Sequence, residues 1–229
     1  AEKVTQKAFY VDKDKKFDLL SHLLKDNNLY KVLVFVDMKH VANKITDRLL
    51  QEGIPAVTIH SNKSQSARQR ALEDFKSDKA RVLVATDIAA RGIDVDGVTH
   101  VINFDLSHLV ENYVHRIGRT ARAGMSGEAF TFCHADEKSF LFAIEKMTNQ
   151  TIPIDMEQPF HSIAVEKAVV TSVGKAKSKM EAERLANKPK RRGGGGGGQG
   201  GGRNYKAASK HRGPASSGGP KGRSSQGKP

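Results

Sequence analysis

The feature that most constrains the fold is a pair of uninterrupted apolar runs, KVLVFVD at 31–37 and RVLVATD at 81–87. Each is short, rich in β-branched residues and closed by a carboxylate. A strand with one wet face alternates apolar and polar residues. A run without alternation reads as a strand buried on both faces, the habit of parallel sheets. Stretches of helical period lie between such runs. Residues 15–26 (KKFDLLSHLLKD) set Phe17, Leu20, Leu23 and Leu24 on one face. Residues 38–53 space Val41, Ile45 and Leu49 four apart before Gly53 stops the pattern. Ser64 is placed to cap a helix over 64–78. Further strands read at 4–11, 55–60, 98–106 and 127–134, the first of them alternating enough to be an edge. A last helix reads at 136–149. Alternation of this kind predicts an α/β fold, a parallel sheet with helices on both faces joined by right-handed crossovers. Ligands of such sheets bind beyond the carboxyl ends of the strands. Here those ends are Asp37–Met38, His60–Ser61, Asp87–Ile88 and Asp105–Leu106.

The charge is divided unevenly. Residues 175–229 hold 15 of the 38 Lys and Arg, 14 of the 21 glycines, and only Glu181 and Glu183 as acids. Their net charge is +13, the whole formal charge of the chain, so residues 1–174 are neutral. A neutral folded part followed by a basic, glycine-rich tail is a nucleic-acid-binding signature. From about 150 the periodicity fades: IPIDMEQPF reads as an extended exit segment, and 175–187 as a short helix. The sequence beyond has almost nothing to bury and is expected to be disordered. Cys133 is the one cysteine, which excludes an internal disulfide and a cysteine-based metal cluster. It stands in the alternating run AFTFCH and reads as a buried thiol. No run of about 18 apolar residues exists, and AEKVTQKAFY lacks the pattern of a signal peptide. We expect a cytoplasmic protein with no membrane partner. The chain opens at Ala1 without an initiator methionine, so we expect a partial or processed chain.

Three stretches carry chemistry. HRIGRTAR, 115–122, puts one histidine and three arginines into eight residues. Leu109, Tyr113 and Ile117, with Val110 and Val114 beside them, give it an apolar helical face, and Gly118 reads as a left-handed stop. Arginine is always charged, and its planar fork matches phosphate oxygens in pairs. TDIAARGID, 86–94, follows a buried strand with a hydroxyl and a carboxylate, then an arginine, a glycine and a second carboxylate. Gly92 permits close backbone approach, and Asp94 can accept hydrogen bonds from ribose hydroxyls. SQSAR, 64–68, places Gln65 and Arg68 on the first turn of a helix, where free N–H groups attract phosphate. Alone, these read equally as a solvated basic face, a capped loop with an ion pair, and an exposed helix face.

In this order and spacing they resemble the second RecA-like domain of DEAD-box RNA helicases. KVLVFVD with Met38–Lys39 is similar to motif IV, Gln65 and Arg68 to the QxxR motif, TDIAARGID to motif V and HRIGRTAR to motif VI. The tail and the wording DIAARGIDV resemble the bacterial RhlE-type branch. The resemblance implies a RecA-like domain over 1–160, an extension over 161–192 and a disordered RNA-binding tail over 193–229. It implies that Arg119 and Arg122 are arginine fingers reaching the γ-phosphate of ATP, catalytic residues of the whole enzyme. Gly92 and Asp94 would contact the ribose, and His115 would couple the ATP site to RNA. Met38, Lys39, Gln65, Arg68, Thr86 and Asp87 would contact RNA, with Arg191, Arg192 and Arg203 in the tail. ATP and Mg2+ would be held mainly by an N-terminal RecA-like domain, the partner of a chain otherwise expected to be monomeric. No metal site is expected in this chain.

Some residues depart from the family pattern. Ser61 replaces the glycine usual after the strand-end histidine, Ala121 stands where glycine is frequent, and Met38 where a hydroxyl is common, which leaves a backbone contact at 38. The chain holds neither GxxxxGK[ST] nor the DEAD tetrapeptide; Asp136–Glu137–Lys138 reads as a helix cap. The sequence therefore reads as the second half of an ATP-dependent RNA helicase, binding RNA without hydrolysing ATP alone. The alternatives are a stand-alone RNA-binding or annealing module and a related helicase acting on DNA.

Overall fold

A computed structural model describes residues 4–93, 95–121 and 126–186 of the 229. The expected strands form where the apolar runs lie: β1 Val4–Tyr10, β2 Val32–Phe35, β3 Ala56–Ile59, β4 Val82–Ala85, β5 His100–Asn103 and β6 Gly127–Cys133. Among the described residues these six make one sheet, parallel throughout, in the order β1-β6-β5-β2-β4-β3. Between them run α1 Lys16–Leu23, α2 Lys39–Gln51, α3 Gln65–Lys76, the short α4 Asp87–Ala90 and α5 Val110–Ile117. The chain continues through α6 Lys138–Thr148, α7 Ile163–Lys167 and α8 Val173–Ala186. All the described residues belong to one compact unit.

Alternation along the buried strands assigns the helices to faces. Val32, Val34, Val82 and Val84 pack with Phe17, Leu20 and Leu24 of α1 and Ala42, Ile45 and Leu49 of α2. Leu33, Phe35, Leu83 and Ala85 point the other way, onto Ala71 and Phe75 of α3 and Ala89 and Ala90 of α4. On that second face Ala8, Ala129 and Cys133 meet Tyr113 and Ile117 of α5 and Phe140, Leu141 and Ile144 of α6. Cys133 is fully buried, and burial, reinforced by the Glu137 carboxylate, pushes its thiol pKa well up. Ser64 caps α3 through Ala67 N–H at 3.2 Å. Gly53, with φ +76, ends the α2 segment.

Two expectations need correction. Gly118 is not left-handed: its φ is −66, because right-handed turning continues through Arg119 N–H to Arg116 and Thr120 N–H to Ile117. The reversal comes at Ala121, with φ +56. The inward face of α5 is Tyr113, Arg116 and Ile117, whereas Leu109 and Val114 are exposed. The extended exit segment runs along the outer edge of β1, where Ile154 bridges to Ala8 and His161 to Val11. The helix expected at 175–187 forms as α8, and α7 adds one that the sequence does not show; both pack on the body, where Lys138 Nζ donates to the carbonyls of Glu166 and Ala168 and Ala176 is buried. Asp94, Arg122, Arg191, Arg192, Arg203 and the stretch 193–229 lie outside the described residues.

Candidate functional site

The carboxyl ends of β2, β4 and β5 present Asp37, Asp87 and Asp105, and one side chain organises them. Arg116 is 2% exposed. Its Nε and one terminal nitrogen grip the Asp87 carboxylate at 2.6 and 2.9 Å. The other terminal nitrogen donates to the Asp105 carbonyl at 2.6 Å and to Asn103 Oδ1 at 3.3 Å. A last donor reaches Asp37 at 3.5 Å. Five N–H groups thus find five acceptors, the full capacity of a guanidinium. The charge is buried, so each of these partners counts. Sequence reasoning left Arg116 without a role. Its place at three residues from Tyr113, beside Ile117, was the available signal that it faces inward.

This clamp fixes α5, and α5 fixes the other motif residues. A pocket of about 220 Å³ is lined by Phe35, Asp87, Ala90, Arg91, Gly92, Asn112, His115, Arg116 and Arg119. It therefore brings together Gly92, His115 and Arg119, which sequence alone connected only by resemblance. Gly92 has φ +76, and a Cβ there would meet open space, so its backbone conformation and not crowding demands glycine. Arg119 leans over this loop and donates to the Ile93 carbonyl at 2.9 Å. The donor set suits phosphate oxygens: Arg91, His115 and Arg119 face the pocket, and its acid, Asp87, is already taken by the Arg116 fork.

On the other side of Asp87 lies a cleft of about 620 Å³, lined among others by Met38, Lys39, Ser61, Thr86, Asp87 and Arg184. Met38 is the N-terminal cap of α2 in extended conformation, and its side chain makes no capping bond. The first amides of α2 thus stay available for an anion. Exposed Lys39 donates to Asn62 Oδ1 at 3.0 Å. His60 fastens that loop as a neutral ring: one nitrogen meets Asn43 Oδ1 at 3.0 Å and the other accepts from Asn62 N–H at 3.3 Å. Burial, with Lys63 and Lys39 adding to it, lowers its pKa. Ser61 has no positive φ, so its replacement of glycine needs no strained backbone. Gln65 and Arg68 do not line the cleft. Arg68 donates to Gln65 Oε1 and to the Ala89 carbonyl, both at 3.3 Å, which ties the start of α3 to α4.

A second buried charge cluster lies behind Asp105. Lys16, 1% exposed, donates to Glu137 at 2.8 Å and to the Phe104 carbonyl at 2.7 Å. Glu137 also accepts from the His134 backbone and ring and from Leu106 N–H, so the expected cap at 136–138 is a capping box. Burial alone would raise the Glu137 pKa. Lys16 and His134 outweigh it and hold the carboxyl down at about 2. Asp37 goes the other way: burial, then the neighbouring Asp105, push it up to about 6 against the pull of Arg116 and Arg184.

The chain is similar to known proteins. Residues 15–124 match the helicase conserved C-terminal domain. The E. coli DEAD-box protein SrmB, solved bound to regulator of ribonuclease activity A, is 31% identical, with a TM-score of 0.66 over 75% of this chain and 99% of that one. The C-terminal domain of the DEAD-box protein Dbp5 is 31% identical, with a TM-score of 0.61 over 66% of this chain and 89% of that one. A DEAD-box protein of the hyperthermophile Methanococcus jannaschii is 36% identical, with a TM-score of 0.63 over 67% of this chain and 42% of that one.

Proposed function

The chain belongs to the DEAD-box proteins, carrying their helicase C-terminal domain on a RecA-like fold, and on that premise we propose that it is the second RecA-like half of an ATP-dependent RNA helicase of the RhlE type. The observation that carries this reading is the single pocket lined by Gly92, His115 and Arg119 at the carboxyl edge of the sheet. Arg119 is the finger that neutralises charge on the transferring γ-phosphoryl group, and Arg122 is its partner. Such an arginine, supplied across an interface, contributes about 10³–10⁵ in rate in comparable enzymes. Gly92 gives the loop its turn towards the ribose, and Asp94 accepts from the ribose hydroxyls. His115, one turn before Arg119 on α5, couples this pocket to the cleft beyond Asp87.

Bound ATP supplies the phosphoryl group and Mg2+ the charge that draws on its oxygens. The chain offers guanidinium and imidazole donors at this pocket, while the Asp87 carboxylate is held by Arg116. Mg2+ and most of the nucleotide therefore belong to an N-terminal RecA-like domain. Met38 and Lys39 present backbone amides to an RNA phosphate, Thr86 a hydroxyl, and Arg68, with Gln65, a guanidinium from the adjoining helix. Asp87 serves the cleft through Arg116 and Asn112, which fix it as its wall. Arg191, Arg192 and Arg203 add sequence-independent attraction to the RNA backbone. Closing the two domains on ATP and one strand would bend that strand and exclude its complement.

The test is RNA-stimulated ATP hydrolysis by the chain alone and by the same chain joined covalently to a DEAD-box first domain. The chain alone should be inactive with Mg2+ and RNA, and the joined protein active. Metal-dependent turnover by the chain alone would overturn the half-enzyme reading.

A further inference from the structure

Arg184 stands at the Asp37 corner of the cleft given to RNA. Asp37, Asp87 and Asp105 close the strand ends, and Glu137 lies just behind. Two buried cations answer these four carboxylates: Arg116 spends its short bonds on Asp87, and Lys16 is shared between Glu137 and Asp105. His134 adds an imidazole on Glu137 alone. Asp37 keeps only a 3.5 Å contact to Arg116. Of the two carboxylates that line the cleft, Asp87 is gripped by Arg116, and Asp37 lacks a close cation from the sheet.

α8 supplies the missing cation. One terminal nitrogen of Arg184 pairs with Asp37 Oδ2. Its Nε and its other terminal nitrogen carry no partner among the described residues, and its side chain is 31% exposed. It lines the 620 Å³ cleft and also a neighbouring hollow of about 380 Å³ between α1, α2 and α8, so it is the wall between the two. The helix that carries it is fastened from several sides: Lys179 pairs with Asp136 at 2.7 Å, Glu183 pairs with Lys13, and Ala176 and Met180 pack onto the α5–α6 cluster. A guanidinium immobilised in advance by a carboxylate loses little rotamer freedom when a phosphate arrives. Its open edge can still take phosphate oxygens in pairs.

We propose that Arg184 is an RNA-phosphate-binding residue of the cleft, supplied by the C-terminal extension and held in place by Asp37. The proposal rests on assigning the cleft to RNA. Arg184 is then the structured beginning of the basic C-terminal sequence: the 43 residues after Ala186 hold 11 Lys and Arg and no acid.

The experiment is an anisotropy titration of a labelled single-stranded oligouridylate with the full chain at several salt concentrations. Arg184→Ala is compared with Arg184→Lys, with Arg68→Ala, given to RNA by the proposed function from the adjoining helix, and with Lys175→Ala, an exposed cation on the same helix outside the cleft. Losing one phosphate contact should make the slope of log K against log salt shallower by about 0.7, and weaken binding about fivefold near 0.1 M salt. Arg184→Ala should show both changes. Arg184→Lys keeps the charge and should keep the slope. Lys175→Ala should bind within about twofold of the parent, as a cation that makes no phosphate contact. Unchanged or tighter binding by Arg184→Ala would overturn the proposal, tighter binding marking α8 as a barrier across the cleft. A slope lost equally in Arg184→Lys would trace the effect to helix packing and overturn it too. If Arg68→Ala weakens binding and Arg184→Ala does not, this proposal alone fails. If neither does, the assignment of RNA to this edge of the sheet, which Arg68 shares from the adjoining helix, fails with it.

Discussion

Arg116 and Arg119 lie one helical turn apart and have opposite lives. Arg116 is buried, meets five acceptors and ties together the ends of β2, β4 and β5. Arg119 is half-buried at the rim of the pocket, its side chain resting on the Ile93 carbonyl. The same residue type serves as the keystone of the strand ends in one case and as a reaching group in the other. The difference lies in what the fold brings near. Three strand-end aspartates surround position 116, while position 119 lies on the rim of the pocket beside the Ile93 carbonyl.

The largest effect should come from removing the keystone. Arg116→Ala leaves Asp37 and Asp87 without their buried partner and should lose about 3–5 kcal/mol of stability. Arg119→Ala, at a half-buried rim position, should lose less than that. Urea denaturation of both variants measures the gap, and equal losses would erase the distinction drawn between them.

The second buried cluster sharpens the comparison through pH. The folded pKa of Glu137 lies near 2, below its ordinary 4.5. Its contribution is thus fully present above pH 4.5 and is lost as pH falls towards 2. Its size is at most about 3 kcal/mol, taking 1.36 kcal/mol per pKa unit. Asp37 has the reverse sign: with its pKa near 6 against 3.8, it favours the fold at low pH, and that advantage is lost as pH rises through 6. Denaturation between pH 3 and 7 should therefore show Glu137→Gln flattening the acid limb and Asp37→Asn flattening the limb around pH 4 to 6. Unaltered pH profiles would show these carboxyls to be unperturbed.

A third effect separates the folded body from the basic sequence. Removing 187–229 takes away 11 cations, and the sequence-independent RNA affinity should fall with them. If the full chain engages about 5–8 phosphates, log K should fall with log salt at a slope of roughly −4 to −6, and the shortened chain should show a shallower slope left by the cleft cations. Equal affinity and slope would place RNA binding in the body alone. The smallest effect concerns Ala121, whose φ of +56 belongs to the left-handed region. Ala121→Gly should gain up to about 1 kcal/mol, the strain relieved less the entropy of a freer unfolded chain. A loss on thermal unfolding would mean that residue 121 is not strained.

These contrasts also separate what the sequence made legible from what it did not. The strands were legible because double-sided burial leaves an apolar run that no helix period mimics, as in VLVF and VLVA. The motif residues were legible because glycine, aspartate and arginine recur in a familiar order. Arg116 was not, since its partners lie 11, 13, 29 and 79 residues away and a charged residue in a helix normally reads as solvated. α4 and α7 are too short to show a period. α8 has an almost wholly polar surface, so its docking through Lys179, Glu183 and Arg184 left no apolar stripe to read. Gly118 was read as a stop because glycine often ends helices; here the turn simply continues.

The proposed role of Arg119 is to act on the γ-phosphate of ATP held by a first domain. The most direct measurement is kcat for RNA-stimulated ATP hydrolysis by the joined two-domain protein, parent against Arg119→Lys. Lysine keeps the charge and loses the planar fork. In Arg119→Lys, kcat should fall by about 10³, with the denaturation midpoint unmoved. Hydrolysis at the parental rate by Arg119→Lys would contradict that role.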